Sequence, residues 1–110
     1  MARTRGERLM MKLTVLYGHP TSADAFEKYY KATHMPLVAK MKGVARTELT
    51  KFVGAPDGGK PAFYRMAELY FANQAEMEKT LGSAEGQATV GDLPNFASGG
   101  VTVIVGTVDG

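Results

Sequence analysis

Six consecutive residues in mid-chain, Gly54-Ala55-Pro56-Asp57-Gly58-Gly59, constrain the fold more than any others. Glycine opens backbone conformations closed to other residues and proline pre-sets one turn angle, so a cluster of this kind reverses the chain. The runs on either side, Val44 to Val53 and Ala62 to Phe71, are rich in β-branched and aromatic residues. They therefore form an antiparallel hairpin, and the chain on each side of it must be accommodated by the same sheet.

Upstream, Leu13, Val15 and Tyr17 alternate with Lys12, Thr14 and Leu16 until Gly18-His19-Pro20 stops the run, the pattern of a first strand and a turn. Thr21 and Asp24 have capping-box spacing, and Phe26, Tyr29, Tyr30, Thr33, Leu37 and Met41 recur at helical intervals, which predicts a helix over 22–41 closed by Gly43. Downstream, Asn73 and Glu76 repeat the capping spacing and open a short helix through Leu81 that Gly82 ends; Ser83 to Val90 adds a further turn or two. Gly91 to Gly100 reads as an ordered loop, because it mixes Phe96 with turn-forming residues, and Val101 to Val108 as a last strand.

Strand, helix, strand, strand, helix, strand is the split βαβ order. The fold class is α+β, ferredoxin-like βαββαβ, with an antiparallel four-stranded sheet and helices on one face. Along the third strand Phe63, Ala67, Leu69 and Phe71 point one way and Tyr64, Met66 and Tyr70 the other, so neither face reads as plainly solvent-exposed. Self-association through the open face, a homodimer, follows as the expectation.

Composition narrows the partners. The net charge of +2 is carried by the first ten residues, where Arg3, Arg5 and Arg8 outnumber Glu7; the remainder holds ten cationic and ten anionic side chains. A balanced body argues against nucleic acid or a membrane as partner. With no cysteine there is no disulfide framework and no sulfur-rich zinc site, and a reducing cytoplasm fits best. Residues 1–10 read as a disordered extension of a single domain over 11–110, with Met10 or Met11 an alternative start.

Chemistry concentrates in Tyr29-Tyr30-Lys31-Ala32-Thr33-His34-Met35-Pro36-Leu37. Pro36 has no N–H for the carbonyl of Ala32 and its ring crowds that carbonyl, so the helix loosens around His34. His34 is the leading acid or base, and Tyr30, four residues before it, shares its helix face. The two could hydrogen-bond, jointly meet a ligand, or simply pack. From the sheet, Tyr17, Tyr64 and Tyr70 are candidates to line the same cavity, Tyr17 foremost at the end of its strand.

Arg65 and Glu68, on opposite faces of one strand, are each expected to pair across strands, with Glu48 or Arg46 for instance. His19, in its turn, reads as exposed, and with His34 it lacks a third ligand at a recognisable spacing, so no metal is expected. Neither G-x-G-x-x-G nor a P-loop nor G-x-S-x-G occurs, so no cofactor is expected and a serine hydrolase is unsupported.

From about Lys12 to the C-terminus the sequence resembles EthD-type proteins, the family named for ethyl tert-butyl ether degradation, within the dimeric α+β barrel superfamily. The resemblance rests on Leu16-Tyr17-Gly18-His19-Pro20, on Tyr29-Tyr30 with His34-Met35-Pro36-Leu37, and on Asp92-Leu93-Pro94-Asn95-Phe96-Ala97 followed by Gly99-Gly100. It implies two sheets face to face across a dimer, helices outside, and a small pocket in each subunit between sheet and helices. It also implies a histidine of the family motif at His34. Family members are often labelled reductases or oxidoreductases, while superfamily relatives include cofactor-free monooxygenases, lactone isomerases, polyketide cyclases and haem enzymes.

The resulting expectation is a cytoplasmic homodimer acting on a small organic molecule of a degradative or biosynthetic pathway. His34 and Tyr30 are its catalytic pair, Tyr17, Tyr64 and Leu37 contact substrate, and Phe96 closes the pocket. Oxygenation, isomerisation or cyclisation without a cofactor fits these residues better than hydride transfer. The rival expectation is a non-catalytic protein that binds a hydrophobic metabolite or delivers it to a partner oxygenase.

Overall fold

The computed structural model describes residues 10–109. The strands are β1 (Met10–Tyr17), β2 (Arg46–Lys51), β3 (Arg65–Phe71) and β4 (Val101–Val108), and the helices α1 (Ala23–Tyr29), α2 (Met35–Lys40), α3 (Gln74–Gly82) and α4 (Ala84–Asp92). One antiparallel sheet of order β2-β3-β1-β4 carries the helices on one face, the expected ferredoxin-like arrangement. Met10, assigned above to the extension, opens β1; the rest of that extension lies outside the described residues. Among the described residues no helix is long and apolar enough to cross a membrane.

Register decides which side chains meet the helices. Leu13 stands opposite Leu69 and Val15 opposite Ala67, and these four are buried with Tyr17 and Phe71. The helical layer answers with Phe26, Tyr30, Met77, Leu93 and Phe96, each buried. Removing a side chain of this size from water contributes about 1.5–3 kcal/mol, so the layer contact supplies most of the driving force. At its centre Tyr17 meets Phe26 and Tyr30 edge-on at 5.3 and 5.7 Å between ring centroids, the geometry aromatic quadrupoles favour.

The first helical segment differs from the single helix over 22–41. α1 runs into a π turn, Tyr30–His34, and α2 begins immediately after it. The Met35 N–H donates to the Tyr30 carbonyl, five residues back instead of four. Pro36 cannot continue the ordinary ladder, and the chain absorbs it by widening the turn ahead of it. The N-cap is Ser22, whose hydroxyl accepts from the Ala25 N–H at 3.2 Å. Thr21, expected to cap, is instead committed to Ser98.

Other boundaries shift in sequence but not in kind. β2 and β3 are shorter than the runs that announced them, so Phe63 and Tyr64 lie outside β3, and Gly91 and Asp92 belong to α4 and not to the loop. Asn73 caps α3 as expected, accepting from the Glu76 N–H at 2.9 Å.

The turn after β1 is clamped to the loop before β4. The Gly18 N–H donates to the Gly100 carbonyl at 3.0 Å. A Cβ on Gly18 would stand 2.1 Å from the Gly99 carbonyl oxygen, and one on Gly99 would stand 2.2 Å from that of His19. Only glycine permits so close a backbone approach, and the approach fixes where the loop presents Phe96.

The open face is not uniform. Tyr70 is buried there beneath Lys12 and Arg46, whose charged groups stand 5.5 and 4.1 Å from its ring centre. Lys12 also pairs with Glu68 at 2.8 Å. β4, by contrast, exposes apolar side chains on both faces: Val103 and Val105 on the helix side, 46% and 51% exposed, and Ile104 on the other, 52% exposed.

Candidate functional site

The site begins with a buried carboxylate. Asp92, last residue of α4, accepts hydrogen bonds from three side chains: the Tyr29 hydroxyl at 2.5 Å and the Asn95 amide at 3.0 Å on Oδ1, and the His34 Nδ1–H at 2.9 Å on Oδ2. Asp92 is 7% exposed and His34 3%. Burial opposes the charge on Asp92, but the bonds from Tyr29, Asn95 and His34 outweigh it and hold the carboxyl below its ordinary range. The same bond to Asp92 pushes the Tyr29 phenol up, so that it stays a donor.

This arrangement fixes the imidazole. With Nδ1–H engaged by Asp92, the neutral ring of His34 carries its lone pair on Nε2; Tyr30 stacks on that ring at 5.8 Å and 18°, and Phe96 packs against it tilted by 46° at 4.6 Å. Four elements meet here: the end of α1 with Tyr29, the π turn, the end of α4 and the short 3₁₀ turn Leu93–Asn95. The π turn carries His34 and Tyr30, and the helix end and the turn together carry Asp92 and Asn95.

His34, Tyr30 and Tyr17 line one cavity of about 30 Å³ between helices and sheet. Its remaining wall is mostly apolar, with Leu13, Val15, Ala67 and Leu69 from the strands and Met35, Val38 and Met41 from the first helical segment. Burial comes first in pushing the Tyr17 phenol well up, and the Tyr30 phenol up to about 12. Both hydroxyls therefore keep their protons at neutral pH.

A second polar cluster backs the cavity. Arg65 donates to both carboxylate oxygens of Glu27, at 2.7 and 3.1 Å, and Tyr64 donates to one of them at 2.9 Å. The bond from Arg65 holds the Glu27 carboxyl below its usual range. The guanidinium lies 4.8 Å from the centre of the Tyr30 ring, so the pair buttresses the cavity wall.

Of the residues singled out in the sequence, His34, Tyr30 and Tyr17 come together on the cavity. Phe96 packs against all three from outside, and Tyr64 stands behind Phe26 at 5.1 Å. Half-buried Leu37 is not on the cavity wall; Met35 and Val38 occupy it from the same segment. Tyr70 lies on the opposite face of the sheet. Tyr30 and His34 stack and do not hydrogen-bond. Glu68 pairs across strands as expected, though with Lys12 of β1, whereas Arg65, on the helix side, meets Glu27 of α1 in place of a strand partner. His19 is half-buried, not exposed, and donates to the Pro61 carbonyl at 2.7 Å.

Tyr29 and Asp92 stand in the stretches that carry the EthD resemblance, but neither was expected in the site. The signal for Asp92 was its place at the head of Asp92-Leu93-Pro94-Asn95, an acid in a segment otherwise rich in apolar and turn residues.

Comparison with known proteins bears on the same residues. The EthD domain model matches residues 18–100, a span that contains both His34 and Asp92. The chain belongs to the EthD family. It is 40% identical over 95 residues to an uncharacterized 11.0 kDa protein of the thcB–thcC intergenic region of Rhodococcus erythropolis, covering 86% of this chain and 91% of that one. It superimposes with a TM-score of 0.85 on the crystal structure of an EthD family protein from Bacillus halodurans, at 33% identity, covering 91% of this chain and 99% of that one. A dimeric ferredoxin-like protein of unknown function from Thermobifida fusca shares the fold at 9% identity, with a TM-score of 0.67 and coverage of 91% and 92%. These relatives place this EthD protein in its family and fold; its chemistry is argued from its own residues.

Proposed function

We propose that this EthD protein performs acid–base chemistry on a small organic molecule bound between sheet and helices, with His34 as the base and acid and Asp92 holding its tautomer. The observation that carries the reading is the buried Nδ1 to Oδ2 contact of 2.9 Å, set on the wall of an apolar cavity. A carboxylate on Nδ1 orients the imidazole and stabilises the imidazolium formed when Nε2 takes a proton. Tyr30 and Tyr17 supply phenolic donors beside it, and Phe96 closes the outer side. Isomerisation or cyclisation asks only for proton transfers of this kind; an oxygenase reading, closer to the family's oxidoreductase label, would use the same base to generate a substrate carbanion.

The protein is read as a cytoplasmic homodimer. Support comes from β4, which leaves Val103, Ile104 and Val105 about half exposed on its two faces, and from fold neighbours described as dimeric. A second copy is the simplest cover for such a strand.

The test begins with native mass spectrometry of protein purified from cells, compared with a denatured run, to identify the bound organic molecule. Turnover of that molecule by the wild type and by His34→Gln follows. The expected result is loss of about 10²–10⁴ in rate with the fold intact. Undiminished turnover by His34→Gln would contradict the reading, and tight binding without turnover by the wild type would favour the carrier.

A further inference from the structure

Among the described residues, the Tyr30 hydroxyl is the buried side-chain polar atom left without a hydrogen-bond partner. Tyr30 as a whole is 2% exposed, and it lines the cavity together with His34. Buried polar groups in native proteins are nearly always satisfied, and an unsatisfied one points to a ligand or to function. Its neighbours do not take up the hydroxyl: Arg65 is engaged by Glu27 at 2.7 and 3.1 Å and meets only the Tyr30 ring. Nor does His34, which stacks on the ring and is bound at Nδ1 by Asp92.

We infer that the site selects an enolisable carbonyl compound with an otherwise apolar skeleton, the Tyr30 hydroxyl donating to the carbonyl oxygen while His34 removes the neighbouring C–H proton. This inference rests on the acid–base reading above and adds the substrate class and the role of Tyr30. The step balances without a co-reactant. His34 Nε2 takes the α-proton, the C–H electron pair becomes the new C=C bond, and the carbonyl π pair moves to oxygen. The Tyr30 O–H steadies the resulting enolate, and the imidazolium returns its proton to the same or another carbon.

Two features suit this division of labour. Burial keeps the Tyr30 phenol protonated, with its pKa pushed up to about 12 against the pull of Arg65, so it donates to an enolate instead of competing with it. The rest of the wall offers hydrocarbon from Leu13, Val15 and Leu69; the closed cavity of about 30 Å³ has room for little more than a water, so a small ring enters only as the unbranched side chains of Met35 and Met41 swing aside to widen it.

The probe is cyclopentanone in D₂O, with α-proton exchange followed by proton NMR at several ketone concentrations, using wild type, Tyr30→Phe and His34→Gln. Wild type should accelerate exchange saturably. Tyr30→Phe should exchange about a hundredfold more slowly, as on removal of one oxyanion donor, while its thermal midpoint is unchanged or raised because no native hydrogen bond is lost. His34→Gln should fall to the solvent background. Exchange by Tyr30→Phe at the wild-type rate with His34→Gln inactive would overturn this inference and leave the acid–base reading standing. Wild-type exchange undiminished in His34→Gln would overturn both. No wild-type exchange would overturn the carbonyl assignment, and the natural ligand's own turnover would still judge His34.

Discussion

Asp92 is the residue on which the site depends, because its carboxylate serves Tyr29, Asn95 and His34 at once. Asp92→Asn replaces an acceptor-only group with one that must present a donor to one of them, and at neutral pH it should cost about 1–3 kcal/mol of stability, the range for spoiling a buried hydrogen-bonded group. The pH dependence has a definite sign. Since the folded-state carboxyl titrates below its ordinary value, its contribution is fully present above the unfolded pKa of about 3.9 and is lost as pH falls through the folded one. Urea unfolding at pH 7 and pH 3 should therefore show the gap between wild type and Asp92→Asn narrowing in acid. A gap that persists unchanged would mean that ionised Asp92 is not what the site relies on.

The elements hold the site through two backbone devices of unequal visibility. One is the glycine clamp between the β1 turn and the loop bearing Phe96. Gly99→Ala would press a methyl against the His19 carbonyl, 2.2 Å from the ideal Cβ position. It should destabilise by about 1–3 kcal/mol, the range for overpacking a site that cannot give. Gly91→Ala in α4 meets nothing within 4 Å and should stabilise by up to about 1 kcal/mol through helix propensity; paired thermal melts decide both. The other device is the π turn, Tyr30–His34. Pro36 announced a disturbance there, but not that a widened turn would absorb it one turn early, since proline states which bond is impossible and not which alternative forms. Val101–Val108 emerged as expected, because a β-branched run between Gly100 and Asp109 has few other options.

For the whole molecule, what was legible follows distance along the chain. Alternation gave the faces of β1 and β3, and the hairpin gave their neighbour, so the ferredoxin-like layer could be derived. The partner of His34 could not, because Asp92 lies 58 residues away and meets it only once the helical layer has closed over the sheet. The same holds for Arg65 and Glu27, 38 residues apart: periodicity says which way a side chain points and not which helix stands above it. The exposed apolar strand β4 belongs to this scale too. If the proposed dimer forms through this face, Ile104→Lys should shift it to monomer in sedimentation velocity, with its secondary structure retained because the β1–β4 backbone ladder is untouched. A wild-type protein that sediments as a monomer would contradict the dimer. In the proposed site the assembled layers hold His34 as a base with Nε2 free, and long-range ¹⁵N–¹H NMR of its imidazole in mildly alkaline buffer reads this tautomer. The proton is expected on Nδ1 in the wild type, with that preference lost in Asp92→Asn; a wild-type ring protonated on Nε2 would rule out His34 as the base held by Asp92.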